Sequence, residues 1–256
     1  MKVDELFRLE GKVVIVTGGS RGLGRIMAEG LAEAGANVVL CARKLGACEA
    51  AAETLRSTGV KCLALRCDVT EPGDVQALVE RTVDDFGSVD VLVNNAGYAW
   101  EAPLEEVTLE QWSRTFSVNA TGTFLCCQEA GRRMIEQGSG KIVNILSVAA
   151  MASVDPRLAD SVPYSASKGA VAALTRDLAR KWCRYNINVN GIAPGYFATK
   201  MSQYLIEHRR DALMNSIPIG RLGEPDEIKG VVVFLASRAA DYVTGQILAV
   251  DGGALA

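Results

Sequence analysis

Tyr164 and Lys168 stand four positions apart in Tyr164-Ser165-Ala166-Ser167-Lys168. Near a helix start, positions i and i+4 share one face. An ammonium beside a phenol favours the phenolate and lowers its pKa from about 10. That would tune Tyr164 for proton exchange near neutral pH. An isolated Y-x-x-x-K pair ordinarily marks a solvated helix face, so its company decides its meaning. Ser147 follows the strand-like Asn144-Ile145-Leu146, where a hydroxyl can polarise a carbonyl. Asn119, in Ser117-Val118-Asn119, interrupts an apolar helical stretch. Asn is a mediocre helix former, and if buried it needs partners.

The second constellation is Thr17-Gly18-Gly19-Ser20-Arg21-Gly22-Leu23-Gly24, after the apolar run Val13–Val16. Glycines permit a tight turn and close backbone approach to a pyrophosphate, and the following helix N-terminus favours the anion. Gly18, Ser20, Arg21, Gly22, Leu23 and Gly24 are therefore candidate cofactor contacts. NAD-selective sites place an acid at the end of the second strand. Here that end reads Leu40-Cys41-Ala42-Arg43-Lys44. Arg43, with Arg21, can instead pair with a 2′-phosphate through a guanidinium fork, which selects NADP(H).

Elements must hold these groups in place. Strands are expected at 13–16, 37–41, 60–66, 89–93, 141–146, 187–192 and 246–250. Helices are expected at 22–34, 45–57, 71–86, 109–137, 164–184, 201–215 and 225–237. Nearly continuous apolar strands fit a sheet covered on both faces, and strand–helix alternation implies parallel pairing. The expectation is a single α/β domain over residues 1–256, a Rossmann-type doubly wound parallel sheet of about seven strands.

The totals narrow the function classes. The chain has 256 residues, 49% hydrophobic and 22% charged, with net charge −3. That is an ordinary enzyme composition, without the basic footprint of a nucleic-acid partner. The seven cysteines form no C-x-x-C, and His208 is the only histidine. No metal site is expected, nor a Ser-His-Asp arrangement. The charged first residues lack a signal-peptide core and no apolar run approaches a membrane span, so the expected location is the cytoplasm.

With Asp68-Val69, Asn94-Asn95-Ala96-Gly97, Pro194-Gly195 and Asp251-Gly252-Gly253 added in order, the whole chain resembles the short-chain dehydrogenase/reductase family, in its short single-domain branch. The resemblance implies hydride transfer between nicotinamide and a carbonyl or secondary alcohol. It implies Tyr164 as general acid/base, Lys168 lowering its pKa and holding the ribose, Ser147 orienting the substrate oxygen and Asn119 holding a relay water. It also implies that Asp68, Val69 and Asn95, within Asn95-Ala96-Gly97, contact the adenosine side, and that Phe197 and Thr199, after Pro194 and Gly195, meet the nicotinamide amide. A homotetramer is implied, with the Tyr164 helix and the C-terminal tail at contacts. A substrate lid is expected over about 197–220, mixing Met201, Tyr204, Leu205 and Met214 with Lys200, His208, Arg209 and Arg210. Trp100 and Trp112 are candidate entrance residues. Gluconate 5-dehydrogenase-like and 3-oxoacyl-carrier-protein reductase members are both similar, so the substrate is a keto-sugar acid or, alternatively, a 3-oxoacyl thioester. A non-catalytic NADP-binding regulator is the remote alternative. The interval from Ser147 to Tyr164 is longer than usual for the family, with the extra residues within 154–161. That loop is expected to reshape the substrate pocket or project into solvent.

Overall fold

In the computed structural model, residues 2–199 and 202–256 are described. Lys200, Met201 and the side chain of Tyr204, three of the expected lid residues, lie outside the described residues. Seven strands form one parallel sheet: β1 (Val13–Thr17), β2 (Asn37–Ala42), β3 (Cys62–Arg66), β4 (Val91–Asn94), β5 (Gly140–Ile145), β6 (Ile187–Pro194) and β7 (Ile247–Val250). Their order is β3-β2-β1-β4-β5-β6-β7. The order reverses between β1 and β4, which opens a crevice at the strands' C-terminal ends.

The helices are α1 (Val3–Leu6), α2 (Gly22–Glu33), α3 (Leu45–Arg56), α4 (Pro72–Phe86), α5 (Leu109–Phe116), α6 (Gly122–Gln137), α7 (Val162–Trp182), α8 (Gln203–His208), α9 (Arg210–Asn215) and α10 (Pro225–Ala236). Side chains alternate across each strand, so an all-apolar strand feeds two cores. Val14, Val16, Val38 and Leu40 pack with Met27 and Leu31 of α2, Leu55 of α3 and Val232 of α10. Ile15, Val39, Leu92 and Ile142 pack with Leu78 of α4, Met134 of α6 and Ala179 of α7. All five residues of β1 are buried. Six of the seven free cysteines are buried.

Two expected helices are interrupted. The 109–137 stretch contains a π-helical turn, Ser117–Thr121, between α5 and α6. Its start is fixed by a reciprocal cap: Gln111 N–H donates to Thr108 Oγ1 (3.2 Å) and Thr108 N–H to Gln111 Oε1 (2.8 Å). Gly138, at φ 69°, ends α6. Gly140 opens β5 against Met134. The lid stretch breaks at Arg209, whose φ of −134° stops α8 before α9 begins. Arg209 Nη1 donates to the carbonyls of Leu158 (2.7 Å) and Arg157 (3.3 Å). Leu158 is buried with Leu205, Leu213 and Ile217. The long loop before α7 therefore packs against α8 and α9, and the solvent-projecting alternative falls.

Candidate active site

The glycine-rich loop is held by close packing. Gly18 adopts φ +64°, and a Cβ there would lie 2.9 Å from Ala96 Cα. A Cβ at Gly24 would lie 2.5 Å from Gly18 O and against the Asn95 amide. Thr17 Oγ1 accepts from Asn95 N–H and Ala96 N–H, both at 3.0 Å. Asn95 Nδ2 donates to Thr17 O (3.0 Å) and Gly18 O (3.2 Å). The Asn95 amide thus faces the loop and braces β1 against β4, where the resemblance implied an adenosine contact. Arg21 precedes the first turn of α2 without a side-chain cap, so the opening N–H groups of Gly22, Leu23 and Gly24 have no hydroxyl or carboxylate on them. Such an end attracts an anion. Gly22, at φ +55°, has open space where a Cβ would stand. Ser20 is half-buried beside it. This cradle fits a dinucleotide pyrophosphate.

Beyond the cradle, Arg21 and Arg43 are both exposed, and no ion pair engages either guanidinium among the described residues. Asp68 Oδ1 accepts from Thr70 N–H (3.1 Å) and Thr70 Oγ1–H (2.9 Å). Val69 is buried and its side chain fills the space where Gly122 lacks one. Gly97 is exposed at the crevice.

Tyr164 stands in the first turn of α7 and is half-buried. Lys168, one turn on, is 4% exposed. Its Nζ donates to Ile145 O (2.7 Å) and lies 5.7 Å from the Tyr164 ring centroid. Burial pushes the ammonium down to about 8. Burial also pushes the Tyr164 phenol up; the Ser147 hydroxyl opposes this, and the nearby Tyr196 adds to it. The expected net lowering of the Tyr164 pKa does not appear, because burial outweighs the neighbouring charge. The ammonium points at a strand carbonyl beside the ring, and loss of hydration dominates both groups. Ser147 Oγ accepts from Ala149 N–H (3.2 Å), which fixes the hydroxyl at the end of β5.

Asn119 is fully buried. Both of its N–H donors are used, on Tyr98 O and Ser167 Oγ at 2.9 Å each, and its Oδ1 accepts from Tyr98 N–H (2.8 Å). Ser167 Oγ–H donates to Tyr164 O (2.7 Å). The Asn119 amide therefore braces the segment after β4 against α7, and the implied water-holding role finds no free donor on it. Gly97 borders both groups: a Cβ there would lie 3.5 Å from Asn119 Oδ1 and 3.8 Å from Lys168 Nζ.

After β6, Pro194 is buried, and a Cβ at Gly195 would lie 2.7 Å from Asp251 Cα. The Phe197 ring is 5% exposed, against Gly223. Its ring is therefore in the core and only its backbone is available to a nicotinamide. Thr199 N–H donates to Ser202 Oγ (3.0 Å), while the Ser202 hydroxyl donates to Phe197 O. Ser202 thus knots the turn before α8, and nothing in its sequence context signalled that. Tyr196 was also missed; its place inside the Pro194–Thr199 motif was the available signal. Glu101 is exposed on the segment after β4; partial burial raises its carboxyl, with Arg209 opposing and Asp160 reinforcing.

Donor cradle, unpaired arginines, and a Ser–Tyr–Lys group at the ends of β4 and β5 together suit hydride transfer coupled to proton transfer. Known proteins agree. A family model described as enoyl-(acyl carrier protein) reductase matches residues 18–254. Gluconate 5-dehydrogenase of Gluconobacter oxydans (strain 621H) is 42% identical over 255 residues, covering 99% of this chain and 98% of that protein. The 5-keto-D-gluconate 5-reductase of Escherichia coli (strain K12) is 40% identical over 255 residues, covering 99% of each. A solved gluconate 5-dehydrogenase from Burkholderia cenocepacia, in complex with NADP and tartrate, superposes with a TM-score of 0.94 at 39% identity over 99% of each chain. The chain belongs to the short-chain dehydrogenase/reductase family.

Proposed function

We propose that this oxidoreductase interconverts a keto-sugar acid and its secondary alcohol with NADP(H), using Tyr164 as acid and base. The observation that carries this is Tyr164 with Lys168 buried one helical turn on, its Nζ 5.7 Å from the ring, at the mouth of a crevice whose far side is an uncapped helix N-terminus. Gly18 to Gly24 would hold the pyrophosphate, Arg21 and Arg43 the 2′-phosphate, and Asp68 with Val69 the adenine side. Ala96, Gly97 and the backbone of Pro194–Thr199 would flank the nicotinamide. When bound, the nicotinamide supplies or accepts the hydride. Ser147 orients the substrate oxygen. Tyr164 gives that oxygen a proton in reduction and takes it back in oxidation. Lys168 places positive charge beside the phenol, and its low pKa lets that charge vary near neutral pH. Asn119 fixes the distance between the β4 segment and α7.

The substrate class is supported by relatives named for gluconate and ketogluconate over their full length. Residues 1–256 form one domain on this reading, with a lid over 197–220. Exposed apolar Leu109, Val162 and Leu248 support self-association into a homotetramer. No helix among the described residues is long and apolar enough to cross a membrane, and the cytoplasm is the proposed location. The test is the rate of NADPH loss with 5-ketogluconate, an acetoacetyl thioester and a simple cyclic ketone. Turnover of 5-ketogluconate well above the others is expected. Turnover of the thioester alone would replace the substrate class.

A further inference from the structure

Three segments meet outside the catalytic group. Ala102 N–H, in the segment after β4, donates to Asp160 O (2.9 Å) in the loop before α7. Arg209, between α8 and α9, binds the carbonyls of Leu158 and Arg157 in the same loop. Tyr196 packs into the buried cluster of Leu158, Leu205 and Leu213. The loop thus ties the lid to the wall of the crevice and fixes Arg209 at the crevice rim. The clamp uses one nitrogen of a guanidinium that carries five N–H donors.

Charge at this rim is uneven. Asp155 is paired with Arg157 (2.6 Å) and is locally neutralised. Glu101 is influenced by Arg209 and Asp160, Tyr196 by Glu101, and Tyr164 by Tyr196. Tyr196 follows Pro194-Gly195 at the end of β6, so the cluster beside Arg209 adjoins the strand ends that carry the site. No ion pair joins Arg209 to Glu101 among the described residues, so the two opposite charges are close without being bonded.

Resting on the proposed reading, we infer that Arg209 receives the carboxylate of the substrate and Glu101 competes with it. Together they set a preference for keto acids over neutral ketones. An incoming carboxylate gains a charge-assisted hydrogen bond at Arg209 and meets like charge at Glu101. Removing either charge must therefore shift the preference in opposite directions.

The test is kcat/KM, with saturating NADPH, on two matched pairs: 5-ketogluconate against its amide, and 4-oxopentanoate against its amide. Wild-type enzyme prefers the acid of each pair it turns over. Arg209→Gln cuts that preference by about tenfold or more. Arg209→Lys keeps part of it, and Glu101→Gln raises it severalfold. A purely structural clamp would slow acid and amide equally in both Arg209 variants, and that result overturns the inference. Turnover of 5-ketogluconate without acid preference sinks this inference and spares the substrate reading. Preference for 4-oxopentanoate that Arg209→Gln abolishes, without turnover of 5-ketogluconate, spares this inference and sinks that reading. No turnover of either acid overturns both.

Discussion

Lys168→Met isolates the energetic cost of the catalytic lysine. The side chain is 4% exposed, and its pKa falls from the ordinary 10.5 to about 8 through burial. The unfolded chain therefore holds a proton that the folded chain releases between those values. Stability rises with pH wherever the unfolded state binds more protons. The penalty on the native state is thus fully present below pH 8 and fades toward 10.5. It amounts to about 3 kcal/mol at pH 7 and about 1 kcal/mol at pH 10. Methionine carries no charge and pays none of it. The variant does orphan the Ile145 carbonyl, at a cost of about 1–3 kcal/mol, but that cost does not vary with pH. Other groups titrate in this range. Burial raises the thiols of Cys48 to about 11 and of Cys62 and Cys127 to about 12, so the unfolded chain deprotonates first and alkali destabilises the fold. That slope is common to both proteins and cancels in their difference. The assay is thermal unfolding of both proteins without cofactor from pH 7 to pH 10. Relative to wild type, the variant should lose about 2 kcal/mol across that range, or about 4–8 °C in Tm. A difference in Tm that stays constant with pH would show that Lys168 is not held in a charge-penalising site.

Tyr164→Phe removes only the exchangeable proton, so turnover should fall by about 10²–10⁴-fold. NADPH Kd, read by fluorescence titration, should stay within about twofold because the cradle is untouched; residual turnover near wild type would take Tyr164 out of the mechanism. Arg43→Ala should raise the KM for NADPH by about tenfold, as expected for one charge-assisted contact at an exposed site. NADH kinetics should barely change, and equal losses for the two cofactors would refute the 2′-phosphate assignment.

Local chemistry made part of this molecule readable. The run Val13–Val16 is apolar throughout because β1 is buried on both faces, and Gly18 after it takes φ +64°, where any side chain would strike Ala96. Those two facts fix the crevice. The π-helical turn around Asn119 was not readable, because its partners are Tyr98 and Ser167, 21 and 48 positions away. The break at Arg209 depends likewise on the Leu158 carbonyl, 51 positions away. The spacing of Tyr164 and Lys168 gave the shared face correctly. It gave the sign of the Tyr164 pKa shift wrongly, because spacing carries no information about hydration or about the carbonyl that captures the ammonium.

That reversed sign changes how the pair works. In water a phenol and an ammonium titrate near one another, at about 10 and 10.4. Here burial drives them apart: the phenol is held above its ordinary value and the ammonium at about 8. Loss of hydration favours the uncharged form of each, so the resting pair moves toward neutral phenol and neutral amine as pH rises through 8. A protonated phenol is already the donor that carbonyl reduction needs. Alcohol oxidation needs the same phenol to give up its proton to a base first. Ser147 opposes the effect of burial, because its hydroxyl is the local influence that lowers the phenol pKa. Burial and the Ser147 hydroxyl thus act on the phenol in opposite senses. The frame that fixes both is the brace from Asn119 through Ser167 to the Tyr164 carbonyl.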